Sequence, residues 1–154
     1  MSRPMRRIWI AGGLLTVALG IQLIPVAVPR SPRSRPALNA PTEVVSILKR
    51  SCFDCHSNET RWPWYSRLAP ASWLIARDVR NGRDQLNFSE WDEFEPEDLQ
   101  DFKQSITEVV SDGTMPPWFY LPLHPDASLS EADKAVLDAW YTGSAEPSAL
   151  AAGD

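Results

Sequence analysis

The sequence predicts an all-α domain. Three observations carry this: four segments place apolar residues at helical spacing, none shows a convincing period-two alternation, and the chain is rich in Trp and Pro. With 7 Trp and 14 Pro in 154 residues, the domain should be aromatic-lined, loop-rich and poor in strands. A composition of 44% hydrophobic and 23% charged residues leaves room for one domain with a modest core. Two Cys exclude a disulfide-dense scaffold.

Taken in order, residues 8–28 contain no charged side chain. As a helix they would span about 31 Å, close to the ~30 Å hydrocarbon core of a bilayer. A transmembrane anchor is therefore expected here, preceded by a basic segment, residues 1–7. A cleaved signal peptide is the competing reading, less favoured because the apolar run is long and no small-x-small cleavage site follows. Arg3, Arg6 and Arg7 lie before the run and Arg30, Arg33 and Arg35 after it, so loop charge alone does not orient it. Pro29, Pro32, Pro36 and Pro41 make residues 29–41 a stiff spacer, expected to hold the domain off the bilayer.

Residues 42–143 then form the domain. The first helix is expected over Thr42–Ser51, with Val44, Ile47 and Leu48 on one face. Pro70 and Ser72 open a second that runs to about Leu86, with Ile75 and Val79 on its apolar side. Pro96 starts a third, carrying Leu99, Phe102, Ile106, Val109 and Val110 until Gly113 stops it. Ser130 and Asp133 form a capping box for a fourth, which buries Leu129, Val136 and Trp140 and ends at Gly143. Residues 53–70 and 112–129 are long connections that need something to pack against, and a large apolar cofactor would supply it. Residues 144–154 are expected to be a disordered tail.

Residues 36–154 hold nine Lys or Arg against twenty Asp or Glu, a net of −11. No basic stripe exists for phosphate contacts, so a nucleic-acid partner is disfavoured.

Chemistry enters at Cys52-Phe53-Asp54-Cys55-His56. This is C-x-x-C-H, the attachment sequence of c-type haem. Two thiols about one helical turn apart can reach both vinyl groups of one porphyrin, and the next side chain points an imidazole at the iron. Chance would place two Cys and a His in this register about once in 6,000 such compositions. Zinc held by Cys52, Cys55, His56 and His124 is a weaker alternative, because adjacent Cys55 and His56 are awkward in one tetrahedron. A Cys52–Cys55 disulfide or redox pair is weaker too, with no βαβ pattern around it. The expected cofactor is one covalent haem c, with His56 as proximal iron ligand. Such attachment is made on the extracytoplasmic side, which places the domain in a periplasm with the N-terminus inside.

The sixth ligand has two candidates. Met115 is the only methionine of the domain and sits in Gly113-Thr114-Met115-Pro116-Pro117. Flanking prolines stiffen a loop that must hold a weak thioether, and His/Met ligation raises the potential. A gap-filling role in the core is its plainer alternative. The other candidate is His124 in Leu123-His124-Pro125, whose plainer reading is a hydrogen-bonded loop histidine.

These motifs, with the run from Ser57 through Trp62-Pro63-Trp64-Tyr65-Ser66, Ala69-Pro70-Ala71-Ser72-Trp73 and Asn87-Phe88-Ser89-Glu90-Trp91, resemble the bacterial haem-binding domain family related to cytochrome c. The resemblance covers roughly residues 40–143, with several motifs in the same order. It implies a cytochrome c-like helical domain around a single haem, N-terminally anchored and outside the cytoplasm, on the bacterial inner membrane. It brings no known substrate. On this resemblance Trp62, Trp64 and Tyr65 would wall one porphyrin edge, ordinary core packing being the alternative. Arg61, Arg67, Arg77, Arg80 and Arg83 are candidate propionate partners, with Arg61 nearest the aromatic run.

Glu90, Asp92, Glu93, Glu95, Glu97, Asp98 and Asp101 form an acidic run. Most such runs are solvated faces, and the sharper reading is a dock for a basic redox partner. Function then divides three ways. A membrane-tethered monohaem electron carrier leads. A haem-based sensor or haem-binding module with a labile distal ligand is second. A peroxidase is third and not favoured, since only His124 remains to serve as its acid-base group.

Overall fold

The structure, a computed structural model, describes residues 3–29 and 38–143. Most of the expected spacer and the whole of the expected tail lie outside them. The described residues are helical and include no strand. Six α-helices follow in order: α1 Arg3–Gly20, α2 Thr42–Ser51, α3 Phe53–His56, α4 Ala71–Gln85, α5 Pro96–Ser111 and α6 Glu131–Tyr141. Short 3-10 turns at Trp64–Arg67, Phe88–Glu93, Leu121–Leu123 and Pro125–Ala127 shape the connections within the domain.

Each domain helix has its own local cause. α2 buries Val44, Ile47, Leu48 and Ser51, with Glu43 in its first turn and Lys49 and Arg50 in its last, as the helix dipole favours. Cys52 leaves helical geometry at φ −126°, so the chain bends before restarting as the single turn α3. α5 begins with Pro96 in its first turn and carries Glu97 and Asp98 there. At its C-terminus Gly113 takes φ +69°, its N–H donates to the Val110 carbonyl at 3.2 Å, and the Thr114 N–H donates to Val109 at 3.0 Å. That is a Schellman cap, and only glycine adopts its left-handed residue without strain. α6 has the expected capping box: Ser130 Oγ accepts from the Asp133 N–H while the Asp133 carboxylate accepts from Ser130.

The core lies between α2, α5 and α6 and closes over the Phe88–Glu93 turn. Its spine is aromatic. Phe53 stacks on Phe88 at 5.2 Å between ring centroids, Phe88 on Trp91 at 5.8 Å, and Trp91 meets Trp140 at 5.7 Å. Lys103 Nζ lies over the Trp140 ring, 5.1 Å from its centroid. Two of the seven tryptophans are therefore consumed by the core, and they tie the haem-motif turn to α6.

The expected 21-residue membrane helix does not form over 8–28. α1 stops at Gly20, a 3-10 turn follows at Ile21–Leu23, and the chain is extended from Ile24. The uncharged helical part is thus residues 8–20, about 20 Å long and short of the ~30 Å hydrocarbon core. Among the described residues no helix is long and apolar enough to cross a membrane. Nor does this segment end free of the domain. The Gln22 side-chain amide pairs with the Ala69 backbone, donating to its carbonyl at 3.1 Å and accepting from its N–H at 2.9 Å. Arg80 also donates to the Ala27 carbonyl at 3.1 Å.

Two outcomes test this packing. Trp140→Ala removes the end of the aromatic spine and should cost about 3–5 kcal/mol of unfolding free energy, read from denaturant midpoints. Asp133, paired with Arg50 and bonded to Ser130, has its carboxyl pulled down from the ordinary 3.8 to about 2. Its contribution is therefore complete above about pH 4 and lost as pH falls toward 2. The melting temperature of Asp133→Asn should fall less steeply than that of the natural chain across that window.

Candidate functional site

A cavity of about 770 Å³ opens among α3, α4, α5 and the 117–124 connection, within the size range of cofactor sites. Cys52, Cys55 and His56 line one side, and Val109 and Met115, at the end of α5, line another. The remaining wall is mainly apolar, contributed by Leu74, Ile75, Phe102, Ile106 and Phe119 among others.

The motif turn is seated by α4. The two pack along the buried side of α4, where Ser72, Ala76, Val79 and Gly82 are all small. At Gly82 the approach is closest: a Cβ there would lie 2.6 Å from the Cys55 carbonyl oxygen. Within the turn, the Cys55 and His56 N–H groups both donate to the Cys52 carbonyl, at 3.1 and 3.0 Å. Both sulfur-bearing side chains and the imidazole are thereby brought to one cavity.

His56 Nδ1 lies 3.2 Å from the Leu86 carbonyl oxygen. A carbonyl only accepts, so Nδ1 carries the proton and Nε2 keeps its lone pair. This is the arrangement in which a second hydrogen bond orients a metal-binding imidazole. Burial lowers the His56 pKa, with the Leu86 and Gly82 carbonyls working against that shift. The ring is thus neutral, as ligation requires. Burial likewise pushes the Cys52 thiol up to about 12, helped by Cys55, and the Cys55 thiol up to about 11, helped by Asp54. Both sulfurs are therefore held as thiols at neutral pH. Among the described residues no group of three or more His, Cys, Asp and Glu is gathered to hold a metal ion.

Met115 reaches the cavity directly from the Schellman cap, where its N–H donates to the Val109 carbonyl at 3.0 Å. His124 lines the same cavity with both ring nitrogens engaged. Nδ1 donates to the Tyr120 carbonyl at 3.1 Å, which leaves Nε2 to accept from the Tyr65 hydroxyl at 3.3 Å. Its ring is stacked on Tyr120 at 3.8 Å between centroids, 7° from parallel. To bind iron His124 would have to release Tyr65; among the described residues the Met115 thioether has no hydrogen bond to give up.

The aromatic run divides. Tyr65 lines the cavity, but Trp62 and Trp64 do not. Trp64 is 78% exposed and meets Tyr65 edge-on at 5.6 Å. Arg61 touches the cavity but spends its guanidinium on Asp54, with both contacts at 3.3 Å. Arg83 is also occupied, donating to the Ser57 carbonyl and to Thr60 Oγ1, both at 2.8 Å.

Three contributors escaped sequence reasoning: Asp54, Gly82 and the Leu86 carbonyl. Asp54 accepts from the Arg61 N–H at 2.9 Å and from the Tyr120 hydroxyl at 2.9 Å, as well as from the Arg61 guanidinium. One carboxylate inside the motif therefore joins α3 to both long connections. Burial, then Asp54, raises the Tyr120 pKa, so its hydroxyl stays a donor. The available signals were faint: a variable position of C-x-x-C-H and a glycine inside a helical pattern.

A helical domain with an apolar cavity, two cysteines and an oriented neutral imidazole on its wall is a haem-site architecture. The family model for the haem-binding domain matches residues 16–143, and the chain belongs to that family. Neither the curated proteins nor the solved structures give a match. The cofactor class is haem, and the residues present fit it: the motif side chains share one cavity wall, and among the described residues His56 Nε2 has no competing hydrogen-bond partner.

Gly82→Ala tests the seat of α3. The added methyl must displace Cys55 backbone rather than a flexible side chain, so about 1–3 kcal/mol of stability should be lost. The haem-to-protein ratio after purification should fall with it, whereas Asp84→Ala, an exposed position of α4 outside the cavity lining, should leave both unchanged.

Proposed function

We propose that this haem-binding protein is a membrane-associated, extracytoplasmic monohaem electron carrier. In this reading Cys52 and Cys55 hold haem c through thioethers, His56 is the proximal ligand and Met115 the distal one. The single observation that carries it is the His56 ring, fixed through Nδ1 by the Leu86 carbonyl in the wall of a cavity that Met115 also lines. Bound there, the iron would supply a one-electron ferrous/ferric couple.

The residues of the chain do the rest. Cys52 and Cys55 would hold the haem by adding their S–H groups across its two vinyl groups, sulfur and hydrogen both ending on the product, so that no oxidant is needed. His56 keeps its tautomer through Leu86. The Schellman cap sets the position of Met115, so a weak thioether donor needs little ordering on binding. The apolar wall would keep water from a haem held there, limiting the change in solvation that accompanies a change of its charge. Residues 8–28 supply the membrane association, and their uncharged composition supports it.

Acidic residues give the carrier a docking face. Asp92, Glu93, Glu95, Glu97, Asp98 and Asp101 are all exposed, from the Phe88–Glu93 turn into α5. They suit a basic redox partner whose association weakens as salt rises. No turnover chemistry is proposed.

A second reading has one observation in its favour. Tyr65, whose hydroxyl donates to His124 on the cavity wall, would become a donor to a small molecule in the cavity on giving up that bond. Optical spectra decide between the two. In the carrier the ferric protein shows the weak long-wavelength sulfur-to-iron band, and the ferrous protein ignores carbon monoxide. Met115→Ala should abolish that band, lower the potential and admit carbon monoxide. Carbon monoxide binding to the unaltered ferrous protein, little changed in Met115→Ala, would replace the carrier by the sensor.

A further inference from the structure

The proline-rich segment was expected to hold the domain away from the bilayer, yet the apolar N-terminal segment touches the domain before that spacer begins. Two contacts fix it. Gln22 makes its reciprocal amide pairing with Ala69, and Arg80 on α4 caps the Ala27 carbonyl. Both lie on the side formed by the Trp64–Arg67 turn and the outer face of α4.

That side has an unusual surface. Trp64 is 78% exposed and Leu68 48% exposed, and Leu74 is exposed one turn into α4. Leu68 immediately precedes Ala69, the partner of Gln22, and Leu23 and Ile24, exposed as well, immediately follow Gln22. Arg67, Arg77 and Arg80 are exposed among them. The acids on α4 are Asp78, which bridges Arg77 at 2.9 Å, and Asp84. Exposed Trp and Leu beside arginines, continuous with an apolar segment, is the chemistry of a bilayer interface. Indole sits at headgroup depth and guanidinium meets lipid phosphate.

We propose that the domain is seated directly on the lipid surface through this side, with Trp64, Leu68 and Leu74 in the headgroup–acyl boundary and Arg67, Arg77 and Arg80 against anionic headgroups. The inference rests on the membrane association proposed above and adds an orientation to it. Leu74 also lines the cavity, so this seat turns one edge of the haem site toward the membrane and favours partners that are themselves at the bilayer.

The test uses the full haem-loaded chain in vesicles of phosphatidylcholine, with and without phosphatidylglycerol. Flotation reads membrane association by itself: a chain that stays with the solvent overturns that association and this seat with it. In floated vesicles, hydroxyl-radical oxidation of Trp64 is compared with that of Trp118, which is 80% exposed. The seat predicts at least fivefold slower oxidation of Trp64 than of Trp118. A ratio near one, as their similar exposure gives without a covering surface, overturns the seat while leaving the anchor standing. Protection that grows with protein density in the vesicles also overturns it, in favour of a second copy. In anionic vesicles the double variant Arg67→Gln, Arg80→Gln should raise Trp64 oxidation at least twofold, and an unchanged rate overturns the role of the arginines.

Discussion

The approach of α4 to the single turn α3 governs the geometry of the whole site. A helix can come that close to another backbone only where side chains are absent, and Gly82 supplies the gap against the Cys55 carbonyl. Closeness has two consequences. It aims the side chains of Cys52, Cys55 and His56 into one cavity, and it brings the residue just past the end of α4, Leu86, within reach of His56 Nδ1. The carbonyl of that residue then selects the imidazole tautomer. Ridge size on one helix is thereby coupled to the lone pair offered on another.

From that seat the rest of the structure is held by two different devices. Behind α3, packing is apolar: Phe53 begins the aromatic spine that ends in Trp140 on α6. In front of it, polar groups close the cavity. Asp54 gathers Arg61 and Tyr120, while His124 gathers Tyr65 and Tyr120. The division follows from dielectric. An apolar spine needs no partners and tolerates full burial, whereas carboxylate, phenol and imidazole groups are stable at the cavity edge only when every lone pair and proton is matched. Long connections that would otherwise be costly to order are thus tied to the motif turn itself.

His124 and Met115 show how context decides between residues that look equivalent in a motif list. Imidazole is the stronger iron ligand in isolation, but here its lone pair accepts from Tyr65 and its N–H serves Tyr120. Thioether is the weaker donor, yet it is delivered by a helix cap whose geometry depends on Gly113 at φ +69°. The proposed ligation therefore follows from what each group is already doing.

The four long domain helices were legible in the sequence because each combines apolar spacing with a local stop or start signal: the Ser130–Asp133 box, Pro96, Gly113. Such signals act over one or two turns and need no distant partner. Membership in a haem-binding family was legible for a related reason, since the motifs that carry the resemblance, C-x-x-C-H first among them, are local patterns. Long-range pairing was not legible. The sequence says nothing of Asp54 meeting Tyr120 across 66 residues or of Gln22 meeting Ala69 across 47, nor that Trp91 and Trp140 belong to the core while Trp64 faces outward. Nor does the hydropathy of the run 8–28 show where its backbone turns: α1 ends at Gly20 and a 3-10 turn follows at Ile21–Leu23. What the amino-acid order determined by itself was the helices and the haem motif, both set by neighbours in the chain. Tertiary structure alone decided which nitrogen of His56 is free, which ring of the aromatic run reaches the cavity, and where the N-terminal segment rests, because each depends on contacts between residues that local chemistry never brings together.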